Sequence, residues 1–191
     1  ALGEERARRG AGVARGDINP GRVGAAVGAI SRQGGQVCGT VLDVSDAAVV
    51  KSLIDDVVAR RGRLDYLFNN AGVAVGGEAR DCVLEDWRQV IEVNLFGVIN
   101  GIDAAYPIMV RQGFGHIVNT ASIEGLIPFA GTGGYVASKY AVVGLSQALR
   151  IEGADLGVKV SVVCPGYIKT NIFRDSKMIN PDRARLVKNP E

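Results

Sequence analysis

Apolar residues follow two alternating rhythms along this chain. Short, nearly unbroken apolar runs, in QVCGTVLDV, LDYLFNNAG, HIVNTAS and VKVSVVCPG, each lead into a Gly, Asn, Asp or Pro, as buried parallel strands do. Between them lie longer segments with helical spacing, the clearest being Leu84–Gln112, where Trp87, Val90, Ile91, Leu95, Val98 and Ile102 fall on one side. A bend is expected there near Pro107, with Gly113 ending the helix. A helix over residues 2–9 stops at Gly10 and Gly12, and GVARGD gives a poorer strand ending at Asp17. Asn19-Pro20 opens a helix reaching about Gln33, Ser45 is the expected cap of one reaching Arg61, and a further helix runs from Tyr135 to about Leu156. Regular strand–helix alternation predicts one α/β domain over residues 1–191. Its parallel sheet is doubly wound by right-handed crossovers, with ligand at the carboxyl ends of the strands.

Composition narrows the function classes. At 191 residues the chain is long enough for one core, and a net charge of +2 carries no nucleic-acid signature. The three cysteines, Cys38, Cys82 and Cys164, lack metal-ligand spacing, and their odd number argues against a disulfide framework. With one histidine, His116, a zinc site or histidine triad is not expected. No secretory leader or membrane-spanning run is read, so a cytoplasmic protein is expected.

The chemistry concentrates in Thr120–Lys139, TASIEGLIPFAGTGGYVASK. Tyr135 and Lys139 stand four apart in a helical segment and share a face. At about 5 Å and an effective dielectric of roughly 20, the ammonium favours the phenolate by about 3 kcal/mol, or roughly 2 pK units. A tyrosine so tuned exchanges protons near neutral pH, and Ser122, at the end of the HIVNTAS strand, offers a hydroxyl to polarise a substrate oxygen.

Together with LDVSD, NNAG, VNLFG, NTAS and CPGYIKT in that order, this stretch resembles the short-chain dehydrogenase/reductase family over almost the whole chain. The resemblance implies a Rossmann-type fold and hydride transfer between NAD, less readily NADP, and a secondary alcohol or ketone. It makes Tyr135 the general acid/base, Lys139 the group that lowers the tyrosine pKa and holds the nicotinamide ribose, and Ser122 the holder of the substrate oxygen. Asn94 resembles the asparagine that keeps a water in a proton relay. Asp17 resembles the acidic residue on the adenosine ribose. Asp43 and Val44 resemble the pair beside the adenine, and Asn70, Ala71 and Gly72 the turn against the adenosine half. Pro165, Gly166, Ile168 and Thr170 resemble the loop that meets the nicotinamide. A homodimer or homotetramer is implied, paired through the Asn94 and Tyr135 helices, with Ala141, Gly144 and Ala148 forming a small-residue stripe.

One family feature is missing. The Thr-Gly-x-x-x-Gly-x-Gly phosphate loop after the first strand is not found, and Gly10, Gly12 and Gly16 do not replace it, because they do not follow a strand and open a helix. The first, central strand is therefore expected to be missing from the sheet and the chain to be part of a longer reductase. A non-catalytic binding protein or scaffold that kept the fold, and an epimerase or dehydratase of the extended branch, are the alternative functions.

Overall fold

A computed structural model describes residues 2–168 and 172–180; Thr170 lies outside them. The strands are β1 (Val13–Asp17), β2 (Val37–Val41), β3 (Tyr66–Asn69), β4 (Val75–Gly76), β5 (Gly115–Thr120), β6 (Val158–Val163) and β7 (Lys177–Met178). The helices are α1 (Leu2–Arg8), α2 (Pro20–Arg32), α3 (Ala47–Arg61), α4 (Leu84–Ile91), α5 (Gly97–Gln112), α6 (Gly133–Gly153) and α7 (Ile172–Asp175).

All strand pairs are parallel, but the sheet comes in pieces. β1 pairs with β2, β3–β5–β6 form a second group, and β4 pairs with β7. Among the described residues β1 and β3 each have a single hydrogen-bonded neighbour, so each keeps one open edge. The Arg6 guanidinium of α1 lies 4.4 Å from the centre of the Tyr66 ring and 5.7 Å from that of Phe68, over the face of β3 that carries both rings. The pieces are joined by α3 packing on α5 and by a shared core that includes Leu42, Ile54, Leu64, Met109, Ile117 and Val160.

Side-chain alternation sets the second group against its helices. Ile117, Asn119, Val158 and Val160 are buried toward α5 and α6, whereas Lys159 is exposed and His116 shares a 2.9 Å hydrogen bond with Ser161 on the more open face.

Caps fix the entry and exit angles of the helices. Asn19 accepts the Arg22 N–H at 3.1 Å, as its position before Pro20 predicts. The α3 cap is Asp46, which accepts the Ala48 and Val49 N–H groups, rather than Ser45. Ser45 is held instead by Asp43 Oδ1, which accepts both its N–H and its hydroxyl. Pro107 lies inside α5, and the long helix carries a π turn over Glu92–Phe96, which inserts a residue between α4 and α5. The helical run Leu84–Gln112 is, against expectation, long and apolar enough to span a membrane. Its apolar side nevertheless forms the core, with Val90, Val98, Ala105 and Met109 all buried. β7 lies on β4, Ile179 donates to the Gly76 carbonyl, and Lys177 meets the buried Asp86 at 2.6 Å. Arg22 also pairs with Asp175, tying α7 to the start of α2.

Candidate active site

Parallel strands bring the functional residues to one end of the sheet. The chain leaves β3 through Asn70, Ala71 and Gly72, leaves β5 through Ala121 and Ser122, and leaves β6 through Pro165 and Gly166. Cross-links fix these exits. Ala121 donates to the Val163 carbonyl and Ile123 to the Pro165 carbonyl, both at 2.8 Å, while the Thr120 hydroxyl donates to Asn70 Oδ1 at 3.2 Å. Beneath them, Asn69 donates to Asn119 at 2.9 Å and Asn119 to the Ser146 hydroxyl of α6 at 2.9 Å. A buried amide chain thus ties β3 and β5 to the helix that carries Tyr135 and Lys139.

Ser122 begins a 3₁₀ turn over Ile123–Gly125, its hydroxyl accepting the Glu124 N–H at 3.2 Å. That turn lies hard against α6, since a Cβ on Gly125 would stand 2.7 Å from the Lys139 carbonyl oxygen. Ser122 is thereby brought beside Tyr135, close enough for its hydroxyl to act on the phenol.

Burial dominates the electrostatics here. The Tyr135 phenol is pushed above its ordinary range by burial, drawn partly back by the Ser122 hydrogen bond and raised again by the charge of Glu124. Lys139 is only 3% exposed, and burial lowers its ammonium from 10.5 to about 8. Its Nζ donates to the Thr120 carbonyl at 2.9 Å and lies 5.4 Å from the centre of the Tyr135 ring. The ammonium is not among the groups that move the phenol, which burial raises instead of its being brought down as the four-residue spacing suggests.

Asn94 is fully buried in the π turn, and its amide is committed elsewhere. Oδ1 accepts the Val73 N–H at 2.8 Å, and Nδ2 donates to the Val73 carbonyl at 2.9 Å and to Ser138 Oγ at 3.1 Å. A Cβ on Gly72 would stand 3.4 Å from Asn94 Oδ1 and 3.7 Å from Lys139 Nζ, so this glycine separates the two. Thr120, Glu124 and Ser138 also belong to the site. Thr120 acts through a backbone carbonyl, and the three together form no spacing pattern that the sequence could advertise.

The remaining positions lie at or beyond the carboxyl ends of β1, β2 and β6. Asp17 closes β1, with Oδ1 accepting the Asn19 N–H at 3.0 Å and Oδ2 lying 3.6 Å from Arg15. Asp43 and Val44 follow β2; the Val44 carbonyl accepts from Asn100, joining that turn to α5. Ile168 is exposed beyond β6. Lys139 retains N–H donors beyond the one given to Thr120, and Asp17 retains acceptor capacity, so this donor set fits two ribose ends. Gly10 and Gly12 lead from α1 into β1 rather than opening a helix, and so cannot cradle a pyrophosphate.

Comparisons with known proteins identify the family. Residues 1–179 match the short chain dehydrogenase family. The chain is 36% identical over 179 residues to a cyclohexanol dehydrogenase of Acinetobacter sp., covering 91% of this chain and 70% of that protein. A short chain dehydrogenase/reductase from Burkholderia phymatum in complex with NAD superposes with a TM-score of 0.87 at 34% identity, covering 98% of this chain and 66% of that one. A gluconate 5-dehydrogenase from Burkholderia cenocepacia in complex with NADP and tartrate does so with 0.84 at 29%, covering 91% and 68%. The chain thus spans about two thirds of the length of these proteins. Parallel strands exiting onto one site, the family match and these likenesses together assign the chain to the short-chain dehydrogenases, oxidoreductases that act on CH–OH donors with NAD or NADP.

Proposed function

We propose that this protein interconverts a secondary alcohol and a ketone, with Tyr135 as the general acid/base. The observation that carries this reading is the close packing of the Ser122 turn on α6, which sets the Ser122 hydroxyl beside Tyr135 and the buried Lys139. A bound nicotinamide supplies or accepts the hydride. In the direction of reduction, the substrate oxygen takes up hydrogen bonds from the Ser122 and Tyr135 hydroxyls, and the phenol proton passes to that oxygen as the carbonyl carbon is reduced. In oxidation the same proton returns to the tyrosine oxygen.

Lys139 would hold the nicotinamide ribose, and Asn70, Ala71, Gly72, Asp43 and Val44 would line the adenosine half. Pro165, Gly166, Ile168 and Thr170 would border the nicotinamide. Asn94 serves as a positioning residue, since its amide fixes Val73 and Ser138 rather than reaching Lys139. Asp17 accepts ribose hydroxyls and repels a 2′-phosphate, so NAD is preferred over NADP. The protein works in the cytoplasm as a homodimer or homotetramer.

An absorbance assay of NADH and NADPH oxidation over a panel of ketones tests this directly. Ketone-dependent oxidation, with a higher kcat/KM for NADH, is expected. Nucleotide binding without turnover on any ketone would favour a non-catalytic binding protein, and equal or better efficiency with NADPH would overturn the role of Asp17.

A further inference from the structure

The turn that presents Ser122 also presents a carboxylate. Glu124 Oε2 accepts the Thr132 hydroxyl at 2.6 Å, and the Glu124 N–H donates to the Ser122 hydroxyl. Thr132 is the cap position of α6, three residues before Tyr135. Glu124 is therefore held between the two elements that supply the two oxygen-binding hydroxyls, half-buried and with no ion pair to a cation among the described residues. Its charge reaches the site, being one cause of the raised Tyr135 phenol. Lys139, the nearby ammonium, is directed to the Thr120 carbonyl instead.

We infer that Glu124 is a specificity residue that selects substrates carrying a hydroxyl on the carbon next to the reacting one, so that α-hydroxyketones and vicinal diols are favoured over simple ketones and alcohols. This rests on the reading of Ser122 and Tyr135 as the pair that holds the reacting oxygen. An ionised carboxylate only accepts hydrogen bonds. A neighbouring hydroxyl gives a donor to the carboxylate oxygen that Thr132 does not take, whereas an alkyl group displaces water from this half-buried carboxylate and offers no hydrogen bond in return. Sites built around such a hydrogen bond discriminate far more strongly than sites that sort substrates by methylene count.

The test compares kcat/KM for acetoin and 2-butanone in the wild type, Glu124→Gln and Glu124→Leu, with Tyr135→Phe as the reference for enzymatic turnover. Acetoin's hydroxyl activates its carbonyl in every variant, so the change in the acetoin/butanone ratio is the readout. The ratio is expected to fall at least tenfold in Glu124→Leu and by less in Glu124→Gln, which retains an acceptor oxygen. An unchanged ratio in both variants, with turnover that still depends on Tyr135, would overturn the role of Glu124 and leave the proposed reaction standing. Turnover that does not depend on Tyr135 would overturn both. Thermal melts of each variant separate loss of fold from loss of selectivity, and a folded Glu124→Gln that keeps the full ratio while Glu124→Leu unfolds would also count against the inference.

Discussion

Lys139 stands at a cost to the fold. Its ammonium is 3% exposed, and its hydrogen bond goes to a neutral carbonyl, so the charged form is penalised. A pKa of about 8 in the folded protein against 10.5 for an ordinary lysine means that the unfolded chain binds more protons between those values. Stability therefore rises with pH across that window, and the full penalty, about 3 kcal/mol, applies below pH 8. Urea unfolding of wild type and Lys139→Met from pH 7 to 10 should show the wild type gaining stability relative to the variant as pH rises above 8. A pH-independent difference would show that the lysine is solvated. The Tyr135–Lys139 spacing was legible in the sequence, but its electrostatic sign was not. The outcome depends on burial and on where the ammonium points, and the Thr120 carbonyl that orients it belongs to the backbone and leaves no mark in residue type.

At the scale of elements, the site depends on how closely the Ser122 turn lies on α6. Gly125 is where they touch, and an alanine there would bring Cβ to 2.7 Å from the Lys139 carbonyl oxygen. Gly125→Ala is expected to cost about 1–3 kcal/mol of stability and to lower kcat more than it raises KM, because it separates Ser122 from Tyr135. Denaturant unfolding and steady-state kinetics measure the two effects, and wild-type values for both would show that the contact gives way freely. Strands ending in HIVNT and VKVSVV, and helices opened by Asn19-Pro20 or closed by Gly113, were readable because caps and apolar runs are local signals. The π turn at Glu92–Phe96 and the β4–β7 pair were not. The first arises from packing along the length of one helix, the second from a contact between residues a hundred positions apart.

Over the whole molecule, β1 and β3 each keep one open edge among the described residues. The small-residue stripe on α6 lies at the surface. Gly144 and Ala148 are exposed, and a Cβ on Gly144 would meet nothing within 4 Å, so this stripe faces outward rather than packing within the subunit. Light scattering should accordingly give the mass of a dimer or tetramer, with Gly144→Arg shifting it toward the monomer. A monomeric wild type would contradict this assignment of the face.

The central claim, that the Tyr135 oxygen moves the proton, is tested most directly by Tyr135→Phe, measured as ketone-dependent NADH oxidation alongside fluorescence titration with NADH. The variant removes one oxygen from a half-buried ring and leaves Lys139 with its Thr120 carbonyl. Turnover should fall at least about a hundredfold, with the dissociation constant for NADH within a few-fold of wild type. Near-normal turnover in the variant would contradict the account.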